Sequence, residues 1–211
     1  MKKFLLSAAA TAVASFGIGN AAIIDFEGLV EGTQVLSTDV FGGMVKFTST
    51  DDTLFIAGVG KPVTAFVPND MPNVPGAFGS LFLGTSFTQV ASNLTIEFLT
   101  PIKQFSFDMV DIDGPETVVI TLLDAMGGTV ATETITAGDP GTGDAVVTSV
   151  SYNLGTAVTK VVIDGNRGTG AFGIGYDNFE FTAVPVPGAL PLFAAGAAGL
   201  AAFRRREKRS A

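Results

Sequence analysis

From Ile23 to Val184, apolar and polar residues alternate in short runs separated by Gly, Asp and Asn. Nothing in this region repeats apolar residues at helical spacing. The run IKQFSFDMV, residues 102–110, sets Ile102, Phe105, Phe107 and Met109 near one face, with a single break in the alternation. The stretch TVVITLLDAMGGTVATETI, residues 117–135, predicts two strands joined by a turn at Asp124–Gly128, a hairpin. NLTIEFL (93–99) and TKVVIDG (159–165) predict further strands, and AFGIGYDNFEFTAV (171–184) the last. Closely spaced strands with Gly/Asp/Asn turns predict an all-β, antiparallel β-sandwich that is jelly-roll-like. About 160 residues are enough to bury a core between two sheets. The stretch 59–80 carries Pro62, Pro68, Pro72 and Pro75, which excludes a central strand and predicts a long surface loop.

Both ends of the chain break this pattern. Lys2 and Lys3 precede an apolar stretch from Phe4 to Ile18 and small residues at Gly19–Ala22. This predicts a secretory signal peptide over 1–22, cut by signal peptidase, with a mature start near Ile23. At the other end, Pro185 and Pro187 lead into Ala189–Phe203, fifteen mostly apolar residues, and then Arg204, Arg205, Arg206, Lys208 and Arg209. Such a segment predicts a short membrane helix whose basic end stays cytoplasmic. The β-sandwich domain is therefore expected over 23–183, and a separate terminal signal over 184–211.

The order of Pro motif, short apolar helix and Arg cluster resembles a PEP-CTERM-type sorting signal. Val184-Pro185-Val186-Pro187 is most similar to the VPLPA-CTERM variant, with Val186 where that variant has Leu and Gly188 before Ala189. The resemblance implies an exosortase substrate of a Gram-negative bacterium that makes exopolysaccharide. It implies transient anchoring in the inner membrane through the C-terminal helix. Processing near Val184–Pro187, with loss of Arg204–Arg206, would then deliver the protein to the cell surface or extracellular matrix.

Composition narrows the chemistry. The 211 residues contain no Cys, His or Trp. That excludes a thiol nucleophile, a His general base, a Ser-His-Asp triad, a Cys/His zinc site and any disulfide. The basic residues cluster at the ends. Between Ile23 and Val184 there are only five, Lys46, Lys61, Lys103, Lys160 and Arg167, against nineteen acidic ones, a net charge of −14. A body this acidic does not bind nucleic acid and attracts cations.

Three arrangements of the carboxylates bear on the chemistry. Asp25 and Glu27 open the mature chain in DFEGL, and Asp177 lies in the closing GYDNFEF. Alternation along the last strand puts Asp177 on the side of Phe179 and Phe181, facing the core, where an inward carboxylate needs a partner. First and last strands of a jelly roll lie close, so Asp25, Glu27 and Asp177 are expected to share Ca²⁺. The arrangement resembles the structural calcium site of jelly-roll carbohydrate-binding modules. The second group, Asp108, Asp111, Asp113 and Glu116 in DMVDIDGPE, fails the EF-hand spacing, since Met109 and Ile120 fall on ligand positions. It predicts a hairpin turn with Asp113-Gly114 at the tip. Third, no pair among the nineteen carboxylates is singled out for glycoside hydrolysis. With only Tyr152 and Tyr176 beside mostly core Phe, a sugar-binding face would be polar or Phe/Tyr-based.

These features predict an exported, non-catalytic surface or matrix protein, associated with exopolysaccharide or the cell envelope, with Ca²⁺-dependent glycan binding as its finer form. The alternatives from other classes are a secreted carbohydrate-active enzyme, hydrolase or lyase, and a self-associating adhesive protein.

Overall fold

The structure is a computed structural model, and it describes residues 21–50, 53–59, 78–85, 92–114, 116–166 and 174–184. The expected signal peptide, except Ala21 and Ala22, lies outside these residues. So do most of the Pro-rich stretch 59–80 and the sorting segment beyond Val184, including Pro185, Val186, Pro187 and Arg204–Arg206. Among the described residues ten strands run in chain order: β1 (Ala21–Ile24), β2 (Gln34–Val35), β3 (Val45–Thr48), β4 (Leu54–Gly58), β5 (Leu81–Thr85), β6 (Ser92–Ile112), β7 (Thr117–Leu123), β8 (Thr129–Thr136), β9 (Gly143–Asn166) and β10 (Gly175–Ala183). Among the described residues there is no helix, and so none long and apolar enough to cross a membrane.

All pairings are antiparallel, in the order β2-β4-β5-β10-β6-β9-β7-β8, with β1 added to β10 and β3 to β6. β6 and β9 are long enough to serve two leaves of one sandwich. Their first ladder, Ser92–Glu97 against Lys160–Gly165, joins β3, β7 and β8 into one leaf. Their second, Gln104–Val110 against Val147–Asn153, carries β10, β5, β4, β2 and β1. Between the ladders the register shifts twice, around Ile102. This crease is the break visible in IKQFSFDMV. Pro101 sits in it, where a residue without an N–H costs the ladder nothing, and its carbonyl accepts Val184 N–H at 2.8 Å.

The leaves close on a phenylalanine layer. Phe47 of β3 meets Phe179 of β10 at 4.8 Å between ring centroids, and Phe98 meets Phe105 and Phe181 at 5.4 Å each. Phe107 stacks on Phe179 at 5.5 Å, with 9° between the ring planes. These rings come from strands on both leaves, which establishes the antiparallel β-sandwich directly. Rings of this size bury large apolar areas, and paired geometry adds to that burial. At one margin Tyr152 Oη donates to Glu133 Oε2 at 2.6 Å, tying β9 of one leaf to β8 of the other. Desolvation, then the hydrogen bond to Glu133 and its charge, push the Tyr152 hydroxyl well above the ordinary tyrosine range, so it stays a donor.

The hairpin at Asp124–Gly128 is present: Asp124 N–H donates to the Gly128 carbonyl, and Asp124 Oδ1 accepts from Met126 and Gly128 N–H. The hairpin expected at Asp113-Gly114 is not. β6 and β7 never pair; the segment between them carries the chain from one leaf to the other. Alternation continues on both sides of such a turn whether the strands pair or cross over, so the pattern alone does not separate the two cases.

Phe47→Ala is expected to cost about 3–5 kcal/mol, as for other buried Phe truncations. Lys160→Ala, which breaks the half-exposed 2.9 Å pair with Glu97, should cost under about 1 kcal/mol. Urea melts of the two variants check this, and equal losses would contradict a fold joined mainly through its aromatic layer.

Candidate functional site at the seam of first and last strands

β1 pairs with the far half of β10, from Ala21–Thr182 to Ile24–Phe179. β5 pairs with its near half, at Gly175–Gly84 and Tyr176–Leu83, on the edge opposite β6. A gap is left between the ends of β1 and β5, and Asp177 and Asn178 face it.

At that point β10 carries a bulge. Asp177 lies opposite Asp108, but the next pair is Glu180 with Ser106, so β10 uses one residue more than β6. Asn178 absorbs the excess at φ 52°, a conformation that Asn tolerates better than most residues. One extra residue reverses the facing of the strand before it. Phe179 and Phe181 point into the core, while Asp177 shares a face with Asp108 and Ser106, the outer face of its leaf. The inward placement expected from strict alternation is therefore corrected by the bulge.

Asp177 is nevertheless fully buried. One rung away, Phe78, Phe82, Ala57 and Val110 form a small second cluster. It packs so closely over Gly175 that a Cβ there would meet Val110 Cγ1 at 2.7 Å and Phe82 Cε2 at 2.8 Å. From the other side comes the segment leaving β1. Phe26, at φ 57°, turns its ring into the core against Phe47 and Phe179 and leaves Asp25 and Glu27 outside. Glu27 Oε1 accepts from Ser80 N–H, and from Leu81 N–H at 3.0 Å, fastening this segment to the start of β5. A Cβ on Gly79 would collide with that carboxylate. Asp25 Oδ1 accepts Glu27 N–H at 3.3 Å.

The electrostatics of the seam are unbalanced. Asp108 is served by Ser149 Oγ and by Asn178 Nδ2, the latter at 2.8 Å. Neither carboxylate oxygen of Asp177 has a hydrogen-bond partner. Burial pushes the Asp177 pKa up to about 8; the backbone of Asn178 pulls it down without making a well-formed bond, and the charges of Glu27, Asp25 and Asp108 push it up further. Like charges directly opposite on a ladder destabilise it, so this pair requires a proton or a cation. The structure thus brings Asp25, Glu27 and Asp177 into one electrostatic neighbourhood and adds Asp108. Among the described residues no three acidic side chains converge in metal-holding geometry; the carboxylates surround Asp177 without closing on it.

Sequence reasoning assigned Asp108 to the DMVDIDGPE turn. Its position in IKQFSFDMV, alternating with Phe105, Phe107 and Met109, was the signal that it faces outward. The rest of that turn is structural. Asp111, at φ 73°, accepts Ala145 N–H at 3.3 Å, and Glu116 accepts Asp113 N–H at 3.1 Å; both residues are buried.

The fold defines an all-β, antiparallel β-sandwich that is jelly-roll-like. The chain matches no protein-family profile, and no curated protein matches its sequence. Among solved structures it is similar to a DUF4465 family protein from Bacteroides caccae (TM-score 0.49, 12% identity, 78% of this chain and 100% of that one). It is also similar to the K2 cleaved adhesin domain of Lys-gingipain (0.49, 11%, 77% and 99%). A third is the family 11 carbohydrate-binding module of a cellulosomal cellulase of Clostridium thermocellum (0.36, 9%, 82% and 99%).

A raised carboxyl pKa has a definite sign. Between about pH 4 and pH 8 the folded state holds a proton on Asp177 that the unfolded state has released, so metal-free stability falls as pH rises through this window. Asp177→Asn removes that slope. In chelator, its melting temperature is expected to exceed wild type at pH 8 and to match it more nearly at pH 5. A wild-type melting curve flat from pH 5 to 8 would count against a proton held at Asp177.

Proposed function

We propose that this is an exported, non-catalytic module of the cell surface or extracellular matrix, whose sandwich binds glycan and whose β1–β10 seam is completed by Ca²⁺. The observation that carries the reading is the buried Asp177 carboxylate with two unpartnered oxygens, facing Asp108 and flanked by Asp25 and Glu27. Hard oxygen donors in this number suit Ca²⁺, which accepts carboxylates and backbone carbonyls in flexible geometry. When bound, the ion supplies the positive charge that the four carboxylates lack. This chain's own part is to hold the donors: Glu27 through Ser80 and Leu81, Asp177 through the Asn178 bulge, Asp108 through Ser149 and Asn178. Binding there locks the segment after β1 onto β10 and β5.

Export and sorting rest on the two ends. The signal-peptide pattern supports entry into the secretory path through signal peptidase. The Val184–Pro187 motif, apolar helix and Arg204–Arg206 cluster support transient membrane anchoring and cutting by an exosortase-type enzyme. The acidic body without His or Cys supports binding over catalysis, with polysaccharide as the partner and nucleic acid excluded by charge.

Ca²⁺ is expected to raise the melting temperature of the purified protein by several degrees, and chelator to reverse it; a curve unmoved by either would overturn the calcium reading. Gly79→Ala, which displaces Glu27, should weaken the response about tenfold in Ca²⁺ concentration, the equivalent of roughly 1.4 kcal/mol. Intact mass of the native protein tests the sorting reading. The expected product has lost both the first 21–22 residues and Arg204–Arg206, and a mature form retaining those arginines would refute it.

A further inference from the structure

The outer face of the second leaf, next to the Asp177–Asp108 rung, has a composition of its own. Two complete rungs cross β10, β6 and β9 there: Glu180–Ser106–Ser151 and Thr182–Gln104–Asn153. β1 extends them with Ile23 opposite Glu180 and Ala21 opposite Thr182. The residues of the two rungs and Ala21 line an open groove of about 380 Å³, and Ile23 lies beside it. Its floor lies low because Ser106 and Ser151 are short, while Gln104, Asn153 and Glu180 stand exposed around them. Ile23, 60% exposed, adds an aliphatic surface at the β1 side.

Resting on the glycan-binding reading above, we propose that this groove is the glycan site and that its ligand is an uncharged polysaccharide. Three observations select that ligand. The six polar side chains make no hydrogen bond to other described side chains, so their groups are available. Two amides and three hydroxyls each offer both donor and acceptor, which matches sugar hydroxyls, themselves both donors and acceptors. No basic residue lines the groove, Glu180 stands in it, and Asp108 lies on the neighbouring rung, so a uronate, sulfate or phosphate would be repelled. A cationic peptide would find one carboxylate among otherwise neutral groups. The opposite leaf contrasts with this face: its outer surface is crossed by the Lys160–Glu97 ion pair. Ile23 supplies apolar contact for the C–H face of a sugar ring, at the margin of the polar floor.

The test uses the purified full-length protein in Ca²⁺, by affinity electrophoresis and titration calorimetry. The probes are uncharged polymers (β-glucan, xylan, galactomannan, dextran), anionic polymers (alginate, polygalacturonate) and an oligolysine peptide. Wild type is expected to bind at least one uncharged polymer and none of the charged probes. The double variant Gln104→Ala/Asn153→Ala should weaken that binding by roughly tenfold or more, two lost hydrogen bonds at about 1 kcal/mol each, with melting temperature and Ca²⁺ response unchanged. Ser151→Tyr, which fills the floor, is a second variant with the same expectation. Wild-type binding that both variants retain would overturn the groove and leave glycan binding standing. Binding only to alginate, polygalacturonate or oligolysine would overturn the ligand class. No binding to any of the polysaccharides, charged or uncharged, would overturn both the groove and the glycan reading. Asp177→Asn, which should abolish the Ca²⁺ response, separates a failure of the seam from a failure of the groove.

Discussion

The two leaves of this protein exist because β6 and β9 pair along two successive ladders with a crease between them. Each strand contributes to both leaves, so their pairing sets the facing of every other strand. The crease turns Phe98 toward Phe105 and Phe181, and the aromatic layer holds the fold closed. Without disulfides or histidines to add cross-links, apolar burial and the ladder hydrogen bonds are the stabilising terms that remain. The Tyr152–Glu133 bond closes one margin of this layer, and the β1–β10 pairing closes another.

The same layer explains why charge gathers at the seam. Phe179 and Phe181 must face inward to complete the aromatic stack, and Tyr176 is buried as well. A regular strand with those phenylalanines inside would take Asp177 inside too. The bulge at Asn178 resolves the conflict by sending Asp177 to the outer face, opposite Asp108. Its cost is a pair of facing carboxylates under cover of Phe78, Phe82 and the Glu27 segment. A fold that places like charges together in this way is most stable when something positive, a proton or a divalent cation, joins them.

The seam and the groove are neighbouring rungs of one sheet face. Asp177–Asp108, Glu180–Ser106–Ser151 and Thr182–Gln104–Asn153 follow one another along β10 and β6. The two therefore share the same strands and the same outer face. β1 runs past both, since its far end leads to Asp25 and Glu27 while Ile23 pairs with Glu180, which lines the groove.

Much of this architecture is readable from local pattern. The alternations with turn residues between them specify antiparallel strands, the absence of Cys and His limits the chemistry, and the Asp124–Gly128 turn specifies the β7–β8 hairpin. The proximity of first and last strands is a property of the fold class, so Asp25, Glu27 and Asp177 were identifiable as neighbours. Tertiary structure alone decided the rest. Whether DMVDIDGPE turns back on itself or crosses between leaves depends on which strands its flanks find, and those partners are distant in sequence. The facing of Asp177 depends on how many residues β6 offers against β10, a count that neither strand contains by itself. The groove is built from β1, β6, β9 and β10, whose contributions come together only through register. Alternation is a local consequence of the two-residue pleat, whereas register and bulges are set by pairing between strands remote in the chain.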